Sequence, residues 1–353
     1  MAEAETERKN VVMKKTEPAG GSPPTGGLQP VGLDIGTSRI VVARSMDKDR
    51  QCEAHLNAFI TLPYSRLTEQ LLAGDNVFHE VHGDEIVVAG NDAEKFAEVF
   101  HVETRRPMLD GMLNPREPHS LAVIRSIVAR LLGKPPAEGQ KVFFSVPAPS
   151  VENGGSLAYH ERSCRELLGE LGYQAKSISE GLAVVFAEME SSNYTGIGIS
   201  CGSGMCNVCL AVLSVPVISF SIPRAGDFID VRAAEATGEV SHRIRVKKER
   251  SFSLNGFTHD LVQNALTVYY EEVVHTLLSA LRENLSAAKR LPRLDGPIPL
   301  VLSGGTVMPR GFFEFFRKAL SGYELPVRLS DVRVSADPLS STARGALMAA
   351  SVS

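Results

Sequence analysis

The sequence carries no strong excess of charge of either sign. Its 353 residues have a formal net charge of −4, and charged residues make up 22% of the chain. Nucleic acids and anionic membranes select basic surfaces, so the chain as a whole offers them no general electrostatic attraction. We therefore expect no nucleic-acid partner.

Long apolar runs are also missing. No stretch of the sequence approaches the roughly 20 apolar residues that a transmembrane helix needs. The first fifteen residues are charged where a signal peptide would have its apolar region. The sequence therefore predicts a cytoplasmic protein without a transmembrane segment.

Cysteine is scarce, with five in the chain. A small odd number in a long chain fits reduced thiols in a cytoplasm better than a disulfide framework. Cys206 and Cys209 have the spacing of a redox or metal motif. They fall in a predicted strand, where residues i and i+3 face opposite sides of the sheet. We interpret them as small buried residues, with a redox or metal site as the alternative.

The chain is long enough for two domains. Residues 1–30 combine mixed charges with prolines and a Gly-Gly-Ser stretch, and they have almost no apolar periodicity. This composition predicts a disordered tail. An amphipathic membrane helix is the alternative, but Val11, Val12 and Met13 form one small cluster without a sustained apolar stripe.

The remaining chain predicts two halves, each with a three-strand meander followed by alternating strands and helices. In the first half we predict strands at 31–35, 40–44, 52–62, 142–146 and 175–179, a turn at 46–49, an irregular insert at 65–104 with short strands around 85–89, and helices at 118–132, 156–171 and 182–189. In the second half we predict strands at 196–201, 206–213, 217–222 and 299–302, and helices at 227–236, within 258–289, at 310–320 and at 338–350. We expect Asp337 and Pro338 to begin the last helix as its N-cap and first residue.

A strand–glycine loop–strand unit occurs twice, at 32–42 and at 198–208. Two such hairpins facing each other across a cleft would clamp a polyphosphate between exposed backbone N–H groups. In the first loop Gly36 lets the backbone approach phosphate oxygens, and Thr37 and Ser38 add hydroxyl donors. Asp34 can hold a water of hydrated Mg²⁺ and is the predicted metal residue.

Several further motifs follow in a fixed order: Val146-Pro147, Ser179-Glu180-Gly181, Arg224-Ala225-Gly226-Asp227 and Ser303-Gly304-Gly305-Thr306. Residues 106–112 read Arg-Pro-Met-Leu-Asp-Gly-Met. Together with the hairpins, this order resembles the actin, sugar kinase and heat-shock chaperone ATPase superfamily across about 31–350. It is most similar to the bacterial actins of the MreB and MamK type, and 106–112 is the most specific of the motifs.

The resemblance implies an α/β, actin-like ATPase fold: two related domains, with mixed sheets flanked by helices around a nucleotide cleft. The first domain would comprise 31–180 and 330–353 with an insert at about 63–104. The second would comprise 181–329 with a smaller subdomain at about 224–291. Gly181 stands where relatives have proline between the domains, which implies a looser hinge.

The second loop departs from the superfamily pattern, because Ser200 replaces the usual aspartate. The resemblance implies that Gly202, Ser203 and Gly204 bind phosphate, while Mg²⁺ is held less tightly and hydrolysis is slowed or lost. Gly226 and Asp227 would contact phosphate or ribose, although Asp227 is equally suited to cap a helix. The remaining residues implied to seat the nucleoside are Gly304, Gly305 and Thr306.

Glu161 matches the residue that we take to position the attacking water in relatives, so it is the predicted catalytic residue. The alternative is a solvated helix carboxylate. The segment 237–252 parallels a region that contacts adenine and ribose in MreB. Here it is basic, and we interpret it as a solvated helix face, with a changed purine contact or a partner surface as the alternative.

The resemblance implies an ATP- and Mg²⁺-binding cytoskeletal protein that forms nucleotide-dependent homopolymer filaments in the cytoplasm, with cell-envelope or cytoskeletal proteins as further partners. The alternative is a non-polymerising scaffold or chaperone-like ATPase that acts as a nucleotide-gated binding module. A membrane-attached division protein and a small-molecule kinase are disfavoured, because we see neither a C-terminal amphipathic helix nor an insert typical of a sugar pocket.

Overall fold

The computed structural model describes residues 29–46, 49–152, 157–288 and 294–353. Residues 1–28, which are nearly all of the predicted tail, lie outside the described residues, as do 47 and 48 of the predicted turn. Within the described ranges, no helix has both the length and the apolar character needed to cross a bilayer.

Strands and helices alternate along the described chain as the sequence predicts. The strands are β1 (Val31–Ile35), β2 (Arg39–Met46), β3 (Asp49–Leu56), β4 (Phe59–Pro63), β5 (His79–His82), β6 (Glu85–Ala89), β7 (Met108–Leu109), β8 (Met112–Leu113), β9 (Gln140–Val146), β10 (Tyr173–Ser179), β11 (Gly196–Cys201), β12 (Cys206–Val212), β13 (Val215–Ile222), β14 (Ile298–Ser303) and β15 (Leu329–Val334). The helices are α1 (Arg66–Gly74), α2 (Asn91–Phe100), α3 (Ser120–Leu132), α4 (Leu157–Glu170), α5 (Glu180–Glu188), α6 (Gly226–Thr237), α7 (Ser241–Ser251), α8 (Leu261–Ala287), α9 (Phe312–Leu320) and α10 (Ser341–Ser351).

Two five-stranded mixed sheets have the same topology. The first has the order β10-β9-β1-β2-β3 and the second the order β13-β12-β11-β14-β15. In each, three consecutive strands form an antiparallel meander, and two later strands add in parallel beside its first strand. The prediction of two related mixed sheets, made from the repeated hairpin, is confirmed.

Helices α5 and α10 lie against each other between the two large sheets, because α10 packs on β1 and β9 while α5 packs on β11 and β12. Their crossing is close: a Cβ atom on Gly345 would lie 1.8 Å from the carbonyl oxygen of Ala183. Only glycine permits this approach. The two sheets are therefore packed tightly through this helix pair.

Each sheet buries its other face under helices of its own half. Leu33 of β1 and Ile124 of α3 are fully buried in one core, and Leu300 of β14 and Leu278 of α8 are fully buried in the other. Apolar area removed from water is the main favourable contribution to folding. Two separate cores therefore stabilise the two halves.

The predicted strand 52–62 is wrong, because the chain leaves the first sheet after Leu56. The backbone N–H of Asn57 donates to the carbonyl of Ser38 at 2.9 Å, and its side chain donates to the carbonyl of Gly36 at 2.9 Å. These bonds turn the chain away, and β4 joins β6 and β5 in a separate three-stranded sheet. The insert also contains α1 and α2, which the sequence analysis did not predict.

The predicted start of the last helix is also wrong, because Asp337 and Pro338 lie in a loop and α10 begins at Ser341. The carbonyl of Pro338 accepts hydrogen bonds from the backbone of Gly304 and the hydroxyl of Ser303, at 2.9 Å each. A helix beginning at Asp337 is not formed while the loop makes these contacts. The strand β15 was missed, and it pairs with β14 in the second sheet. The return to the first sheet therefore comes after β15, later than the predicted 330.

Cys206 and Cys209 point to opposite faces of the second sheet, as predicted. Both side chains are fully buried among apolar neighbours. Their interpretation as small buried residues is confirmed.

Candidate functional site

A cavity of ≈ 500 Å³ lies where the two glycine loops meet. Its volume is in the range of small-molecule sites, about 300–1,000 Å³. The structure brings together in its lining eleven of the residues predicted to bind nucleotide: Asp34, Gly36, Thr37, Ser38, Gly202, Ser203, Gly204, Gly226, Gly304, Gly305 and Thr306.

The first loop is held in one shape by backbone hydrogen bonds. The N–H of Gly36 donates to the carbonyl of Arg39 at 2.9 Å, which closes the turn between β1 and β2. The hydroxyl oxygen of Thr37 accepts from the N–H of Gly111 at 3.2 Å, so the segment 106–112 supports the loop. A preformed loop keeps its remaining polar groups available for an anion.

The second loop packs directly on the first. A Cβ atom on Gly204 would lie 2.4 Å from the backbone nitrogen of Gly111 and 2.6 Å from the hydroxyl oxygen of Thr37. Any other residue at 204 would push the two loops apart, which is the physical reason for glycine here. The hydroxyl of Thr306 donates to the carbonyl of Gly202 at 2.6 Å and ties the third loop to the second.

Two half-buried carboxylates, Asp34 and Glu180, line the cavity. The hydroxyl of Ser145 donates to Asp34 Oδ1 at 2.6 Å, and the hydroxyl of Ser200 donates to Glu180 Oε2 at 2.9 Å. Burial raises the pKa of both carboxyls, and the charge of Asp34 raises the pKa of Glu180 further, while hydrogen bonds from Ser145 and Ser200 oppose these shifts. The pair therefore retains protons at higher pH than ordinary carboxyls do.

The side chains of the cavity could hold Mg²⁺ only if the phosphates of a nucleotide supplied further ligands. Within the described chain, no group of three or more His, Cys, Asp or Glu side chains could hold a metal ion by itself. Mg²⁺ usually keeps several waters and is held by one or two carboxylates together with substrate phosphates. Asp34 meets that lower requirement, whereas Ser200 contributes a hydroxyl where the superfamily pattern has a carboxylate.

Glu161, the predicted catalytic residue, does not line the cavity. It lies on α4, where its carboxylate pairs with Arg165 and accepts a hydrogen bond from Ser177 Oγ at 2.7 Å. The alternative, a solvated helix carboxylate, is closer to the structure, although Glu161 is partly exposed and bound to Arg165 and Ser177. Glu180 is the residue that the sequence analysis missed. Its signal was its place directly after β10, because polar groups at the carboxyl ends of parallel strands commonly face ligand sites.

Asp227 has neither of its two predicted roles. It does not line the cavity, and its side chain makes no N-cap hydrogen bond at the start of α6. Instead it accepts from Arg106 Nη1 with both carboxylate oxygens, at 2.9 and 3.2 Å. Since Arg106 precedes the first half's β7 and Asp227 begins a helix of the second half, this ion pair joins the two halves beside the cleft.

The basic helix α7 is not simply a solvated face. Lys248, Glu249 and Arg250 line the cavity. Lys248 is 10% exposed and pairs with Asp230 at 2.8 Å, and it donates to the carbonyl of Gly226 at 2.9 Å. Burial raises the pKa of Asp230 to about 6 against the opposing charge of Lys248. The favoured interpretation, a solvated helix face, was therefore wrong for Lys248, whereas Glu249 and Arg250 are exposed side chains that also line the cavity.

Part of the cavity lining is apolar. It includes Phe252, Tyr270, Met308 and Leu339. The rings of Phe252 and Tyr270 stack with their centroids 5.0 Å apart. Among the described residues, the buried hydroxyl of Tyr270 has no hydrogen-bond partner. The lining thus combines apolar side chains with polar glycine loops, the two kinds of surface that a nucleotide requires.

A family model described as Volactin matches residues 30–350. A comparison with curated proteins finds no significant match. Among solved structures, the MamK double helical filament is 19% identical with a TM-score of 0.67, covering 91% of this chain and 98% of that chain. Identity at this level establishes likeness of fold alone.

Two further structures share the fold. MreB5 of Spiroplasma citri bound to ADP is 14% identical with a TM-score of 0.58, covering 90% of this chain and 94% of that chain. The ethanolamine utilization protein EutJ from Carboxydothermus hydrogenoformans is 17% identical with a TM-score of 0.55, covering 93% of this chain and 92% of that chain. The predicted actin-like ATPase fold is confirmed.

Proposed function

The chain belongs to the Volactin family, and from this we propose that it is an actin-like protein that binds ATP with Mg²⁺ in its cleft and assembles into nucleotide-dependent filaments. The observation that carries the proposal is the ≈ 500 Å³ cavity between the two glycine loops. The similarity to a MamK filament and to ADP-bound MreB5 supports both parts of the proposal.

ATP would lie with its phosphates between the two loops. Backbone N–H groups beside Gly36 and Gly204 and the hydroxyls of Thr37 and Ser203 would contact phosphate oxygens. The nucleoside would lie against Gly304, where only glycine fits because a Cβ atom would lie 2.1 Å from the carbonyl oxygen of Cys201. The base would lie against the apolar part of the lining, which includes Phe252 and Tyr270.

The ribose would be bound by Glu249, whose carboxylate lines the cavity on α7. A carboxylate accepts hydrogen bonds from ribose hydroxyls, as it does in other nucleotide sites. This assignment adopts the alternative in which the segment 237–252 contacts the nucleoside. Lys248 would position α7 through its ion pair with Asp230, at 2.8 Å.

Asp34 would hold Mg²⁺ through its free carboxylate oxygen and a metal-bound water, and the metal would neutralise charge on the phosphates. Glu180 would accept the proton of the attacking water. The raised pKa of its carboxyl makes Glu180 a stronger base than an ordinary carboxylate when it is ionised, and the positive charge of Mg²⁺ beside it would favour the ionised form. Because Ser200 supplies no carboxylate to the metal, we infer slow turnover.

Cleft closure would couple nucleotide to assembly. Arg106 and Asp227 join the two halves beside the cavity, so they contribute only when the halves are close. A ligand shifts such an equilibrium through its greater affinity for one state. ATP touches loops of both halves and would therefore favour the closed shape, which would be the one that polymerises.

The hydrogen bond between Ser200 and Glu180 favours a second candidate function, a non-polymerising scaffold gated by nucleotide binding without turnover. It would use the same cavity and the same closure. The two candidates differ in assembly, and they are separated by sedimentation with and without ATP.

The nucleotide site is tested by calorimetric titration of ATP with and without Mg²⁺, using the wild type and Asp34→Ala. We expect wild-type affinity to rise when Mg²⁺ is added and the variant's affinity not to respond. Glu161→Ala, which removes a carboxylate outside the cavity, is the control and should behave as the wild type. A variant D34A that responds to Mg²⁺ as the wild type does would contradict the metal assignment. A wild type that binds no ATP would contradict the proposed function.

A further inference from the structure

Arg39 lies where two cavities meet. Its side chain lines the ≈ 500 Å³ cavity, and it also lines a second cavity of ≈ 270 Å³ that continues toward the gap between α2 and α7. Ser38 and Glu249 are likewise shared by both linings. Arg39 therefore stands at the phosphate end of the nucleotide cavity, on the side where that cavity opens into the second one.

The backbone of Arg39 is fixed in position. Its carbonyl closes the first loop by accepting from Gly36, and Asn57 holds the adjacent residues through its hydrogen bonds to Ser38 and Gly36. As the first residue of β2, Arg39 shares a strand face with Val41, which lines the nucleotide cavity. The guanidinium therefore extends from a rigid base on the face that borders the ligand.

The guanidinium of Arg39 is exposed and has no carboxylate within ion-pair distance among the described residues. The other two arginines of the second cavity are neutralised: Arg106 pairs with Asp227 at 2.9 Å, and Arg245 pairs with Glu94 at 3.2 Å. Arg250 and Arg310 of the first cavity also have no ion pair in this part of the chain, but they stand on α7 and beside the nucleoside loop. Arg39 is the unpaired cation that belongs to a phosphate loop.

The charges of the site favour a direct contact between this cation and phosphate. Ser200 removes one negative charge from the position that relatives use for the metal, and Arg39 adds one positive charge at the first loop. Guanidinium groups bind phosphate oxygens through paired, charge-assisted hydrogen bonds. An arginine here performs part of the charge neutralisation for which such sites otherwise depend on a divalent cation.

We propose that Arg39 binds the terminal phosphate of the nucleoside polyphosphate and lets the cleft hold the nucleotide without a divalent cation. This inference rests on the proposed function, because it concerns the same cavity. It predicts that affinity depends on whether the phosphate chain is long enough to reach Arg39, so ATP and ADP bind more tightly than AMP. Mg²⁺ then affects the rate of ATP hydrolysis, whereas the nucleotide binds with or without it.

The test is a titration of ATP, ADP and AMP in EDTA and in Mg²⁺, with the wild type, Arg39→Ala and Arg39→Lys. We expect removal of Mg²⁺ to weaken wild-type ATP binding by less than about tenfold. In EDTA, R39A should lose about ten- to a hundredfold in affinity, the size of a lost hydrogen bond to a charged group. R39K keeps the positive charge but lacks the paired donors, so its ATP affinity should lie between those of the wild type and R39A.

Arg243→Ala is the matched control, since Arg243 is a 78% exposed cation of α7 outside both cavities. It should leave all affinities unchanged. Far-ultraviolet circular dichroism and melting temperature establish that each variant folds. ATP binding by the wild type that requires Mg²⁺ and is the same in R39A overturns this inference and leaves the proposed function standing. Failure of the wild type to bind ATP in either condition overturns the proposed function itself.

Discussion

The hydroxyl of Ser200 donates a hydrogen bond to the carboxylate of Glu180 at 2.9 Å, and both residues line the cavity between the glycine loops. Ser200 lies within β11 and is paired with Ser303 of β14, and Glu180 is the first residue of α5. A serine at this place orients the Glu180 carboxylate without adding a third negative charge beside Asp34. The substitution therefore changes the electrostatics of the site while it preserves a polar contact.

Restoring the superfamily carboxylate should make stability depend on the metal. Ser200→Asp places a third buried acid beside Asp34 and Glu180, and like charges in a buried site disfavour one another. Without Mg²⁺ we expect the free energy of unfolding to fall by about 1–3 kcal/mol, and with Mg²⁺ we expect part of it to return. Denaturant unfolding with and without Mg²⁺ measures both. Ser200→Ala, which lacks the added charge, should show no recovery, and equal behaviour of the two variants would contradict this account.

Glu180 and Glu161 give a direct comparison of two carboxylates. Glu180→Gln should retain ATP binding and lower the hydrolysis rate by about 10²–10⁴-fold, because it removes the group that accepts the proton. Glu161→Gln should leave the rate unchanged, since Glu161 is bound to Arg165 and Ser177 outside the cavity. Steady-state phosphate release measures both rates. A rate loss in E161Q with none in E180Q would restore the original assignment.

The contact of the two loops depends on the missing side chain at Gly204. Gly204→Ala introduces a Cβ atom at 2.4 Å from the Gly111 nitrogen, so the loops must separate. We expect overpacking to cost about 1–3 kcal/mol of stability, and ATP affinity to fall by about tenfold or more. Gly169→Ala on α4, where a Cβ atom meets nothing within 4 Å, is the control. Unchanged ATP affinity in G204A would show that phosphate binding does not depend on the contact between the two loops.

His160 should make the fold sensitive to acid. Burial lowers its pKa from 6.5 to about 4 in the folded chain. Between these values the unfolded chain binds the proton and the folded chain does not, so the free energy of unfolding falls as pH falls. We expect a loss of about 2 kcal/mol between pH 7 and pH 5 from this residue.

The buried carboxyls Asp34, Glu180 and Asp230 have raised pKa values, so they act in the opposite direction and favour the folded state as pH falls. The contribution of His160 is therefore obtained as the difference between wild type and His160→Gln. Denaturant unfolding at several pH values should give curves that converge toward pH 5. Parallel curves would contradict the assignment of a neutral buried histidine.

The sequence was sufficient for the repeated sheets and for most of the cavity, because both follow from local patterns. The hairpins around Gly36 and Gly204 each consist of consecutive residues. Strand periodicity and glycine turns are therefore visible within one short stretch of sequence. The two large sheets were predicted in this way, whereas the actin-like fold was predicted from the resemblance of the ordered motifs to the superfamily. The segment 106–112 added specificity that no single glycine loop has.

The predictions that were wrong or missing concern features that depend on contacts between residues far apart in the sequence. The chain leaves the first sheet at Asn57 because that side chain reaches back to Gly36, and α10 starts late because Pro338 is bound to Gly304. Asp227 was predicted from its own helix, whereas its partner Arg106 lies 121 positions earlier. Glu180 was interpreted as part of a hinge, and only the packing of α5 between the sheets places it in the cavity. Periodicity does not encode such contacts.

The central claim, that ATP in this cleft drives assembly, is tested most directly by sedimentation of the purified protein with Mg²⁺ and ATP, with Mg²⁺ and ADP, and without nucleotide. The account predicts a pellet with ATP that is reduced or absent in the other two conditions. It also predicts that Glu180→Gln forms a pellet that persists, because ATP remains bound. No pellet under any nucleotide condition, across a range of protein and salt concentrations, would contradict the filament function and favour the nucleotide-gated scaffold.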